Sequence, residues 1–194
     1  MRERITSLTS NILNPFLIGL VLILLLSFKS TPSVLDAIKW SLISIAASIL
    51  PVFGVIIYLV RSQKLESIFI NVRKQRTKIY LLAVVCAGVG YVILYYLEAP
   101  KELIATFVAG LSAVVVFMCV NFLWKISLHT ALIAASVTVL IILYGSIAAV
   151  TVVLVPLIGW ARIELKHHSP AQVAAGALLA AVIVVVVFYL FGLV

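Results

Sequence analysis

Apolar positions come in long runs along this chain, and polar positions gather in the short stretches between them. A run of about 20 apolar residues is what a helix needs to cross a bilayer. The first such run predicts a span roughly from Pro15 to Phe28, with Asn14 as N-cap and Pro15 at the first helical position. The second covers about Ile38 to Val60, between Lys39 and Arg61, and Pro51 inside it predicts a kink. The third covers Ile79 to Leu97. The fourth covers Leu103 to Trp124 without a charge. The stretch Ser127 to Trp160 greatly exceeds one crossing, so it reads as a fifth span to Tyr144, a turn at Gly145 and Ser146, and a sixth span from Ile147. The last starts at Pro170 and runs to the C-terminus. The expected fold is all-α, a polytopic transmembrane helical bundle of six or seven spans, forming one membrane domain over residues 1–194.

Composition removes the other classes. Of 194 residues, 65% are hydrophobic and 10% charged, against about 45–50% and about 25% in soluble domains. A soluble globule is excluded, and so is disorder, which needs low hydrophobicity. Only six acids occur, and Asp36 is the sole aspartate. Hard cations want several oxygen ligands, so neither a carboxylate metal site nor a pair of Asp-rich motifs holding magnesium pyrophosphate fits. Cys86 and Cys119 lie in separate apolar runs and match no metal or disulfide spacing. No metal, no cofactor and no nucleic-acid partner is expected. The first apolar run has no small-residue cleavage site, so no cleavable signal peptide is expected either.

With seven spans, the N-terminus and the second, fourth and sixth loops share one face. That face carries Arg2, Arg4, Arg61, Lys64, Arg73, Lys74, Arg76, Lys78, Lys125, Arg162 and Lys166; the other carries Lys29, Lys39 and Lys101. The excess of cations assigns the rich face to the cytoplasm of a cell membrane, expected to be prokaryotic.

All three histidines, His129, His167 and His168, fall on that same face, with Arg73, Arg76, Lys125 and Arg162. The third, fifth and seventh spans begin there, and helix N-termini favour anions. Cations, imidazoles and helix starts beside lipid point to a phosphate carried on a lipid. Each residue also has a plainer reading. Arg73, Lys74 and Lys78 suit positive-inside anchors. Lys125 can snorkel beside Trp124. Ser127 can be the N-cap of the fifth span, and Ser169 with Gln172 fits a capping box before Pro170. His167 reads as a surface residue. His129 is harder to explain as structure, because polar residues inside a span are functional by default. The small residues Ala174, Ala175, Gly176 and Ala177 suit close helix packing.

The polar residues resemble the three motifs of the type 2 phosphatidic acid phosphatase superfamily, integral membrane lipid phosphatases. Its third motif is Ser-Arg-x5-His-x3-Asp. Here Arg162 and His168 keep the spacing, Ala161 replaces the Ser and Gln172 the Asp. The second motif, Pro-Ser-Gly-His, is similar to Ile126-Ser127-Leu128-His129. The first, Lys-x6-Arg-Pro, is matched only by Arg76-Thr77, its Lys position falling on Phe69, with Arg73 or Lys74 as substitutes. The resemblance implies that His168 attacks phosphorus, that His129 protonates the leaving alcohol, and that Arg162, Arg76 and Arg73, with Lys125 and Ser127, hold the phosphate. It needs no metal. Gln172 would orient His168 as a neutral substitute for the Asp, with Glu164 as an alternative partner. The expected substrate is a lipid phosphate in the bilayer, either an isoprenoid phosphate or pyrophosphate or phosphatidic acid. A non-catalytic lipid-phosphate binder or transporter on the same fold, and a structural membrane protein, are the competing expectations.

Overall fold

A computed structural model describes residues 2–65 and 73–194, with all their side chains except those of residues 73–75. The described residues are all-helical: α1 (Arg2–Ile12), α2 (Pro15–Ser30), α3 (Val34–Arg61), α4 (Arg73–Tyr96), α5 (Lys101–Leu123), α6 (Leu128–Tyr144), a 3₁₀ stretch (Gly145–Val153), α7 (Leu154–Glu164) and α8 (Pro170–Leu190). Among them, α3, the Arg76–Tyr96 part of α4, α5, the Leu128–Glu164 stretch and α8 are each long and apolar enough to cross a bilayer. The pair α1 and α2, bent by 44°, would make a sixth. Large apolar side chains such as Leu42, Leu81, Leu178 and Val182 are exposed. That costs little against lipid tails and much in water. These are the proportions of an integral membrane protein.

The predicted turn within residues 127–160 is where the chain doubles back. Ile133 and Val137 of α6 share a packed cluster with Ile158 and Ala161 of α7. On one straight helix, residues 25 positions apart would lie about 37 Å from each other. Gly145 takes φ 68°, a conformation that favours glycine. The 37-residue stretch therefore folds back on itself, and it counts once among the five candidate spans, where the sequence predicts a fifth and a sixth.

The other boundaries fall close to expectation, with one addition. Asn14 caps α2, its Oδ1 accepting from the N–H groups of Phe16 and Leu17 at 3.0 Å each. Pro51 sits inside an uninterrupted α3. α1 precedes the first expected span and is too short and polar to register as one.

The expected single domain divides into two compact units: a terminal unit, Met1–Leu22 with Trp124–Val194, and a central unit, Ile23–Leu123. In the central unit α3 packs on α4 and α4 on α5. A Cβ on Gly90 would meet Phe107 Cε1 at 2.6 Å and Ala47 Cβ at 3.2 Å, so glycine is what lets the three helices approach. In the terminal unit α6 packs along α8, with α7 against both and α1 on α7. α8 buries Gly176, Ala180, Val184, Val187 and Phe188, a stripe at helical spacing.

Candidate active site in the terminal unit

The site grows from the turn that ends α7. The carbonyl of Arg162 accepts from the backbone N–H groups of both His167 (3.1 Å) and His168 (3.3 Å). Lys166 in the same turn adopts φ 56°, which costs a non-glycine residue about 1 kcal/mol. The turn holds His168 close to the residue six positions before it. Both Arg162 and His168 are buried, at 4% and 7% exposure.

Ser169 and Pro170 then start α8 as predicted. Ser169 Oγ accepts from Gln172 N–H at 3.3 Å, and Gln172 Oε1 accepts from Ser169 N–H at 3.2 Å, a complete capping box. The same Oε1 lies 3.1 Å from His168 Nδ1. The oxygen that completes the cap therefore also reaches the imidazole. A backbone N–H can only donate, so the amide oxygen faces it. That oxygen can only accept, so its contact with His168 is a hydrogen bond when Nδ1 carries the hydrogen, and in the neutral ring that tautomer leaves the lone pair on Nε2.

The start of α6 completes the cluster. Ser127 N–H donates to the Gln172 carbonyl at 3.2 Å. A Cβ on Gly176 would meet the Ser127 carbonyl oxygen at 2.8 Å, so the small stretch of α8 is where the α6 start seats. Ser127 caps α6: its Oγ accepts from Thr130 N–H at 3.4 Å and lies 2.9 Å from Thr130 Oγ1. His129 is buried in the first turn of α6. Lys125 Nζ donates to the His167 carbonyl at 3.2 Å, tying the α5–α6 link to the α7–α8 turn. His167 is half-buried. Burial, then the charges of Arg162 and Lys125, push its pKa below the ordinary imidazole value.

Lys125, Ser127, His129, Arg162, His168 and Gln172 thus belong to one unit. Arg76 is buried on α4 of the central unit, where Asn121 Nδ2 donates to the neighbouring Thr77 Oγ1 at 3.4 Å. The side chain of Arg73, and Phe69 in the first-motif Lys position, lie outside the described residues. Glu164 pairs with Arg2, Nε to Oε1 at 3.1 Å. No cluster of metal-ligating side chains occurs among the described residues. No family model, curated protein or solved structure matches this chain.

Two participants were not anticipated. Ser10, on α1, accepts from Arg162 NH1 at 3.0 Å. Thr130 closes the hydroxyl pair with Ser127. The signal for the first was available: Ile5, Leu8 and Ile12 fall on one helical face and Thr6 and Ser10 on another, the mark of an amphipathic helix before Pro15.

Proposed function

We propose that this chain is an integral membrane lipid phosphatase that cleaves a phosphomonoester or pyrophosphate of a lipid through a phosphohistidine on His168. An isoprenoid phosphate or pyrophosphate, or phosphatidic acid, is the substrate class. The observation that carries the reading is the shared Gln172 oxygen, which accepts from Ser169 N–H and lies 3.1 Å from His168 Nδ1, an arrangement that suits the tautomer with its lone pair at Nε2. In the proposed reaction Nε2 attacks phosphorus, the P–O bond to the lipid leaving group breaks, and imidazolium His129 donates its proton to that oxygen. Water then attacks the phosphohistidine with His129 as base. The N–P bond breaks, its electrons return to His168, and inorganic phosphate leaves. Arg162, with Lys125, offsets the charge on the phosphoryl oxygens. These steps use the terminal unit alone and need no metal.

By the positive-inside rule the site faces the cytoplasm of a prokaryotic cell membrane. Cysteines introduced at Lys64 and Lys101 test this: external labelling at Lys64 in preference to Lys101 would overturn the orientation.

A second reading, binding or transport of lipid phosphates without turnover, draws support from the same glutamine. A neutral amide gives no charge partner to an imidazole that becomes positive. Phosphate release by purified protein from a panel of lipid phosphates separates the two. Release that persists in excess chelator and stops in vanadate is expected. Strict dependence on magnesium would sink the phosphohistidine route, and binding without release would select the second reading.

A further inference from the structure

We propose that Ser10 is a positioning residue for Arg162, so that the N-terminal helix α1 sets the aim of the phosphate clamp; this rests on the phosphatase reading above. The two residues are 152 positions apart, yet Arg162 NH1 donates to Ser10 Oγ at 3.0 Å. Ser10 is 3% exposed.

A guanidinium presents its donors in one rigid plane, and its value as a phosphate clamp depends on where that plane points. The main chain of Arg162 is fixed by the two N–H groups that its carbonyl accepts, and Ser10 holds the tip. The side chain between has several rotatable bonds, and the Ser10 contact at NH1 is one that helps to set its plane.

α1 contains its own control. Thr6 lies one turn before Ser10 and is also fully buried. Its Oγ1 donates back to the carbonyls of Arg2 (3.2 Å) and Glu3 (3.0 Å). Thr9 Oγ1 likewise donates to Ile5 O at 2.9 Å. Hydroxyls in helices commonly bond to the preceding turn. Thr6 therefore reports what it costs to disturb the buried face of α1, and Ser10 reports the aim of Arg162.

The test uses the full chain in phospholipid vesicles, with whichever lipid phosphate of the panel the wild type hydrolyses best. Ser10→Ala is expected to lower kcat/KM about 10-fold and weaken vanadate inhibition to match, the scale on which losing an orienting partner acts. Ser10→Thr, which keeps the hydroxyl, should restore both, and Thr6→Val should leave both near wild type. In an Arg162→Ala background, Ser10→Ala should add no further loss. Should Ser10→Ala not fold, Ser10→Cys, similar in size but a weak acceptor, is read against the same expectations. Wild-type constants in Ser10→Ala would overturn the proposal while leaving the phosphatase reading intact. So would an equal loss in Thr6→Val, or full additivity with Arg162→Ala. A wild type that releases no phosphate from any lipid would overturn both.

Discussion

Two helices of the terminal unit start on serine, and each start has a histidine beside it. At α6, Ser127 is followed three residues later by Thr130, whose short side chain folds onto the capping hydroxyl. That hydroxyl pair involves no side chain of a neighbouring helix. At α8, Ser169 is followed three residues later by Gln172, long enough to reach back past the cap to the imidazole of His168. The third helical position decides the difference. A short hydroxyl there closes onto the cap itself; a long amide makes a cap whose oxygen also reaches a neighbouring imidazole. Stability should depend on both starts, and the chemistry of His168 on the second alone.

The largest expected effect is at the histidines themselves. His168→Ala should reduce phosphate release to background, because the attacking nitrogen is gone. His129→Ala should cost roughly 100- to 10,000-fold, the range for a lost general acid. Residual activity in His168→Ala equal to that of the wild type would assign the nucleophile elsewhere.

Gln172 sharpens the comparison further. Gln172→Ala should slow the reaction roughly 10- to 100-fold, on the scale of lost orientation in a second shell. Gln172→Asp restores a charge beside Nδ1, favours the imidazolium, and should shift the pH dependence of the rate to higher pH. Unchanged pH profiles and normal turnover in both variants would reduce Gln172 to a helix cap.

Ser127→Ala is the converse. Losing an N-cap costs about 1 kcal/mol of stability. The pH profile should stay as in the wild type while thermal unfolding moves down. A changed pH profile would mean that this hydroxyl serves the chemistry after all.

The smallest effect concerns His167. Its folded pKa lies below the ordinary value of 6.5. As pH falls below that value the unfolded chain takes up a proton that the folded one resists, so stability declines toward the folded pKa. His167→Gln should flatten that decline. Lys125→Met, by removing one repelling charge, should raise the His167 pKa in an NMR titration of the imidazole.

The spans were legible because lipid imposes one length and one polarity on every crossing helix, and the α8 cap because Ser-Pro-x-Gln is a local signal. α1 was not, since its Arg2–Ile12 stretch mixes charged, hydroxyl and apolar residues and falls short of a crossing. The Ser10–Arg162 contact is a tertiary pairing across almost the whole chain, and no local pattern encodes it. The Arg2–Glu164 ion pair is likewise a tertiary contact, because position alone does not say which cation claims a carboxylate. Gln172 invited a choice between cap and orienting group because the sequence does not reveal that one oxygen reaches both donors.

The account turns on which nitrogen of His168 carries the lone pair. Rapid quenching during turnover, followed by mass mapping and 31P NMR of the trapped phosphoprotein, reads that directly. The account predicts phosphate on Nε2 of His168, with Nδ1 bearing the hydrogen held by Gln172. Phosphate on Nδ1, on another residue, or on no residue during demonstrated turnover would contradict it.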